Sequence, residues 1–318
     1  MKKTILFASV ALLMAACSQE EGPSENRQMI SFSTQVEQPS ENDPGKTRGS
    51  IVSSAALLPS FGVSAQVYGA TEGYATQGLG NYFYNLECQK DKATSQIWPE
   101  KSKKMSFFAY APYDCAGLTI SAKGTTGVPT YTYTVPENIL NQEDFMTAQA
   151  VDISCASPTT VTLPFKHRMT DIRFSIKNRS SNYEVTVNKI SIIGVKYTGN
   201  YKTSWTLSGD ANSLTSHPFT YTFNKAVAAK ATVDITGSLY HFIMLPQTVA
   251  SGTNFIVIET TQSGTTKTYT HKLTSALTLE EGKSYTFNVE LGEGDTPITF
   301  NATVDAWTTG TQSISFDD

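Results

Sequence analysis

Four histidines, His167, His217, His241 and His271, are the first candidates for metal or acid–base chemistry, and none stands at ligand spacing from a Cys, Asp or Glu. The sequence therefore predicts no metal site. No glycine-rich phosphate loop follows an apolar run, and no Gly-x-Ser-x-Gly turn occurs. Carboxylates adjoin at Glu20-Glu21, Glu143-Asp144, Glu280-Glu281 and Asp317-Asp318. Solvated charge is the simpler reading, and nothing around them favours a glycosidase acid and base pair. No catalytic residue and no cofactor is expected. Cys88, Cys115 and Cys155 are an odd set without short paired spacing. They allow one disulfide with a spare thiol, or three small buried side chains. Tyr82, Phe83 and Tyr84, then Phe107, Phe108, Tyr110 and Tyr113, could stack on sugars if exposed; lining a core is the simpler reading. Trp98, Trp205 and Trp307 are too far apart in sequence to be argued as one platform.

Cys17 is the residue whose setting points to a modification. Lys2 and Lys3 precede an apolar run over residues 5–16 that ends in small residues, which is the order of a secretory signal. About twenty apolar residues are needed to cross a bilayer, so this run and every later one are too short to span. The run Leu12-Leu13-Met14-Ala15-Ala16-Cys17 looks like a bacterial lipobox, with Met14 where Leu is the stronger match. Cleavage before Cys17 and acylation would anchor the chain durably, because more than one acyl chain is then buried in the membrane. An ordinary cleavage site with an incidental Cys17 is the alternative. Residues 1–16 thus read as the signal and 17–28 as a polar tether. The product is expected to be a membrane-tethered extracytoplasmic lipoprotein.

The elements that must position anything further are strands. Period-2 alternation runs through Ile30, Phe32, Thr34 and Val36; Ile172, Phe174 and Ile176; Tyr285, Phe287 and Val289; and Ile298, Phe300, Ala302 and Val304. Further strands are expected over 61–68, 80–87, 105–111, 130–134, 161–165, 184–194, 217–224, 231–236, 239–245 and 254–260, with a helical turn in 137–147. A chain of 318 residues is long enough for two domains. The expectation is an all-β protein of two tandem sandwiches, over 29–160 and 161–318, divided near Ser157-Pro158. The formal net charge is −4 and becomes more negative once Lys2 and Lys3 are removed, which argues against a nucleic-acid partner.

Between the first two expected strands, residues 38–50 hold Pro39, Pro44, Gly45 and Gly49 around Lys46 and Arg48. Such composition forbids regular pairing.

Several stretches together resemble the fimbrillin family of Bacteroidales type V pili. They are the lipobox; Ile30-Ser31-Phe32; Thr47-Arg48; Phe107-Phe108-Ala109-Tyr110-Ala111-Pro112-Tyr113; Leu163-Pro164-Phe165-Lys166-His167; Met244-Leu245-Pro246-Gln247; Gly282-Lys283-Ser284-Tyr285; and Val304-Asp305-Ala306-Trp307. The resemblance implies two transthyretin-like β-sandwich domains, export as a lipoprotein to the outer membrane and cell surface, processing by an Arg-specific protease, and assembly by strand exchange. The implied cut falls between Arg48 and Gly49 and would part residues 29–37 from the rest; an arginine in an open stretch bounded by Pro and Gly is accessible to such an enzyme. A sheet that loses a strand exposes unpaired backbone and apolar pockets, which a strand from another subunit can fill, and a head-to-tail contact of that kind does not close on itself and builds a fibre. Its implied partners are other fimbrillin subunits, the protease, outer-membrane lipid before processing, and a host or bacterial surface ligand. The candidate donor is the chain end, Ile298, Phe300, Ala302 and Val304, with Ile314 and Phe316 repeating the pattern. An ordinary last strand paired in its own domain is the alternative. Stalk, tip and lipid-retaining anchor are all open roles. The rival class is a surface glycan-binding lipoprotein.

Overall fold

The computed structural model describes residues 28–36, 58, 60–237, 240–292, 299–306 and 311–314. Among them regular structure is all β, apart from single 3-10 turns at Tyr74–Thr76 and Ile139–Asn141, the latter inside the stretch expected to turn. The first half supplies β1 (Met29–Val36), β2 (Phe61–Gly69), β3 (Phe83–Cys88), β4 (Ala93–Ile97), β5 (Lys103–Ala111), β6 (Leu118–Ile120), β7 (Tyr131–Thr134), β8 (Met146–Ser154) and β9 (Val161–His167). The second half supplies β10 (Thr170–Asn178), β11 (Val185–Ile192), β12 (Lys196–Tyr201), β13 (Trp205–Ala211), β14 (Phe219–Val227), β15 (Thr232–Asp234) and β16 (Phe242–Met244). It continues through β17 (Gln247–Val249), β18 (Asn254–Gln262), β19 (Thr265–Lys272), β20 (Leu277–Leu279), β21 (Lys283–Leu291), β22 (Thr299–Ala306) and β23 (Thr311–Ile314).

Strands β3-β2-β5-β8-β9-β1-β4 form one seven-stranded sheet in that order. Its β8 and β9 share only the pairs Met146↔His167 and Thr147↔Lys166. There the sheet turns over on itself, so that Phe32 of β1 meets Phe61 of β2 and Phe61 meets Phe165 of β9. The enclosed core contains Ile30, Phe32, Phe61, Trp98, Phe107 and Phe165. The arrangement is a sandwich in which the inner faces of two layers interdigitate.

A second core lies between the sheet β15-β10-β21-β22-β23, to which β16 adds beside β10, and the four-stranded sheet β14-β11-β18-β19. Phe174, Phe242, Phe255 and Phe287 meet within it. Strands β6 and β7 cross over to join β12 and β13 in a further four-stranded sheet. Their Tyr131 and Tyr133, with Phe145, belong to the second core although they come from the first half of the chain.

The expected division near Ser157-Pro158 is displaced. Strand β9, assigned from its sequence to the second sandwich, pairs in parallel with β1 from Phe32↔Val161 to Val36↔Phe165, and its Val161, Leu163 and Phe165 line the first core. Met169 is the next core residue and lies in the second core. Alternation along β9 shows that one face is buried; it carries no information on which core that face enters. Strands β4, β6, β8, β12, β13, β17, β19 and β20 lie outside the stretches expected as strands. In β19 the reason is visible: its Thr, Lys and Tyr leave neither face fully buried, so no apolar alternation marks it.

Candidate functional site: the position of the first strand

β1 is an interior strand, flanked on one side by β9 and on the other by β4. Its alternation does what the sequence expects. Ile30, Phe32, Thr34 and Val36 are all buried, while Ser31 and Ser33 face the other way and pair their hydroxyls with those of Thr160 and Thr162 at 3.0 Å. Phe32 is held edge to face by Phe107, with centroids 5.4 Å apart. Ile30, Phe32 and Val36 together remove enough apolar surface to contribute about 2 kcal/mol each.

The outer edge of β1 is closed by residues the sequence does not single out. Asp91 N–H donates to the Phe32 carbonyl (3.2 Å) and Trp98 N–H to the Gln28 carbonyl (3.0 Å). Between them the Thr94 hydroxyl donates to the Ile30 carbonyl at 2.9 Å. Within the sheet, β4 has β1 as its ladder neighbour and stands at the outer end of the order. The segment is anchored behind β1 by Trp98, which packs on Phe107, and by the Tyr82 hydroxyl, which donates to the Ile97 carbonyl. The composition Ala-Thr-Ser-Gln-Ile of β4 has no apolar alternation, so no sequence signal announces it.

At the other end of the chain, β22 pairs antiparallel with β21 from Lys283↔Ala306 to Glu290↔Thr299, and β23 pairs with the far side of β22. Phe300 and Ala302 are buried in the second core, and Val304 is half-buried against it. The backbone of Ile314 lies opposite Ala302. Cys17, Arg48, Gly49, Ile298 and Phe316 lie outside the described residues, as does Trp307.

The remaining chemical candidates are absorbed by structure. Asp144 and His167 pair in a buried contact, both carboxylate oxygens lying about 3 Å from Nδ1. His241 places Nδ1 2.8 Å from Asp171 and Nε2 2.9 Å from the Gly237 carbonyl. Burial alone would push the Asp171 carboxyl up, but His241, Arg173 and the Ser284 hydroxyl around it hold it well below the usual carboxylate range. His217 stacks on Tyr197 and donates from Nε2 to the Val135 carbonyl, and His271 lies beside the ring of Phe300. Glu143 accepts from the Ala116 N–H, and Glu281 pairs with Arg168. Among the described residues no three His, Cys, Asp or Glu side chains converge to hold a metal ion.

Cys88, Cys115 and Cys155 are free and buried, which settles the choice between a disulfide and three small interior side chains. The aromatic stretches face inward: Phe83, Phe107, Phe108 and Tyr110 are buried, Tyr82 and Tyr84 are half-buried with hydroxyls donating to the Ile97 and Ser121 carbonyls, and Tyr113 packs on Tyr110.

The described residues form an all-β protein with two cores. The family model described as fimbrillin-like matches residues 58–307. The chain belongs to the fimbrillin-like family, whose members are structural fimbrial subunits or adhesins of the cell surface and not enzymes. It is similar to the fimbrium subunit Fim1C of Phocaeicola vulgatus, with 26% identity over 222 residues. That match takes in 61% of this chain and 56% of the relative, so the chain spans little more than half of the relative's length. Two solved structures share the fold. A fimbrial protein from Bacteroides vulgatus has a TM-score of 0.66 at 18% identity, covering 89% of this chain and 100% of its own. A candidate cell adhesion protein from Bacteroides ovatus has a TM-score of 0.52 at 17% identity, covering 92% and 99%.

Proposed function

We propose that this chain is a stalk or tip subunit of a type V pilus, delivered to the outer membrane by lipidation at Cys17 and released by an Arg-specific cut between Arg48 and Gly49. Loss of β1 then opens a groove between β9 and β4, and a strand of another subunit fills it. The observation that carries this reading is that an interior strand with four buried side chains is joined to the rest of its sandwich through a sequence containing Arg48. Without β1, the edge of β9 and the donors on Asp91, Thr94 and Trp98 lose their partners, which is the condition for β-augmentation.

The donor in this reading is the chain end. Residues 298–304, Ile-Thr-Phe-Asn-Ala-Thr-Val, carry the alternation of residues 30–36, Ile-Ser-Phe-Ser-Thr-Gln-Val, with Ile, Phe and Val at equivalent positions. Ile314-Ser315-Phe316 repeats Ile30-Ser31-Phe32 a third time. Because β9 runs parallel to β1 and β4 antiparallel to it, a donor satisfies both ladders only by running in the direction of β1. In the folded chain β22 is held between β21 and β23, so donation requires that ladder to open.

The test is to treat purified mature protein with an Arg-specific protease and look for polymer by electron microscopy, with mass spectrometry of the new N-terminus. The expected result is fibres whose subunits begin at Gly49. Monomers persisting after complete cleavage at Arg48 would overturn the stalk reading and leave a lipid-retaining anchor or a surface glycan-binding lipoprotein.

A further inference from the structure

Resting on that strand-exchange reading, we propose that the pocket occupied by Thr34 selects a second copy of this chain, because Ala302 of the incoming segment suits it better than Thr34 does. The resident strand is then the poorer fit to its own groove at that one position.

Thr34 is 6% exposed, and its Oγ1 is buried with no hydrogen-bond partner among the described residues. The other hydroxyls of β1 do not share this problem, since Ser31 and Ser33 face outward onto Thr160 and Thr162. Period-2 geometry fixes the difference: residue 34 shares the inner face with Ile30, Phe32 and Val36. A hydroxyl buried without a partner gives up its hydration and gains nothing in exchange. Every other inward position of β1 is apolar, so Thr34 is the single position at which this strand holds its place against an opposing term.

Laying residues 298–304 over 30–36 puts Ala302 in that pocket and leaves the other three inward residues as Ile, Phe and Val. The exchange deletes the orphaned hydroxyl and with it one methyl, a smaller loss than the penalty of an unpaired buried hydroxyl, and leaves the large side chains unchanged. Thr299 replaces Ser31 on the outward face, so a hydroxyl is again available to Thr160. Asn301 replaces Ser33 beside Thr162, keeping a hydrogen-bonding side chain there. The occupant that fits is therefore a strand from a second copy of this chain, with a small side chain at the third inward position.

The experiment cuts the mature chain with an Arg-specific protease in the presence of a fluorescent peptide of residues 296–306, or of the same peptide carrying A302T. The expected result is that the A302T peptide is held roughly three-fold more weakly, the scale of one unsatisfied buried hydroxyl partly offset by one added methyl. In the protein, Thr34→Val keeps the volume and removes the hydroxyl. It is expected to slow uptake of the unaltered peptide roughly ten-fold, with no change in the rate of cleavage. Equal retention of the two peptides by a groove that takes up the unaltered one overturns the Thr34 inference and leaves strand exchange standing. No uptake of either peptide after complete cleavage overturns strand exchange itself.

Discussion

Phe32 of β1 and Phe107 of β5 meet edge to face across the first core, with ring centroids 5.4 Å apart and planes at 79°. Phe107 also meets Trp98, which closes β4 from behind. One ring therefore supports both the first strand and the segment that covers its outer edge. Aromatic pairs of this geometry add about 1 kcal/mol beyond their buried area.

Phe32→Ala is expected to destabilise the uncut protein by about 3 to 5 kcal/mol, the usual scale for deleting a fully buried aromatic side chain. Urea unfolding followed by tryptophan fluorescence measures it, since Trp98 lies in the same core. Hydrogen exchange should show protection lost first at Asp91 and Trp98, whose N–H groups donate to the carbonyls of Phe32 in β1 and of Gln28 just before it. A loss below about 1 kcal/mol would mean that β1 contributes little to the sandwich.

The Asp171 cluster sets an acid limit on stability. Its carboxyl is held below the usual range in the folded chain by His241, Arg173 and Ser284 against the effect of burial, whereas in the unfolded chain it titrates near 3.9, about the ordinary value for Asp. A depressed folded value contributes stability that is fully present above the unfolded value and is lost as pH falls through the folded one. Stability is therefore expected to drop as pH falls below about 4. Asp171→Asn should cost about 3 kcal/mol or more at neutral pH by breaking a buried ion pair, and should flatten that acid limb. Urea midpoints measured from pH 7 down to pH 2 test both statements.

The three thiols should be inert in the folded protein. Burial pushes Cys88 up to about 12, aided by Glu87, and Cys155 up to about 11, and it raises Cys115 well above the usual range with Glu143 adding to the effect. Thiolate is the reacting form, so both access and ionisation are suppressed. Counting Cys88, Cys115 and Cys155 by alkylation and mass spectrometry, we expect none modified at pH 8 in buffer and all three modified in denaturant.

Among the features legible in the sequence, the burial of Ile30, Phe32, Thr34 and Val36 is the clearest, because a strand with one core face writes its alternation into four side chains of its own. The all-β class follows from the same local rule applied along the chain. The short helical turn is readable too: Asn138, in the stretch expected to turn, accepts from the Leu140 N–H at its start.

What only the tertiary structure decided is who stands next to whom. That β1 runs parallel to β9 and lies inside β4, that β9 closes the first core rather than opening the second, and that His241 finds Asp171 are facts about residues tens to more than a hundred positions apart. The amphipathic period of a strand reports one buried face and two unsatisfied edges. Which partners satisfy those edges depends on packing and loop closure over the whole chain, and no local spacing records it.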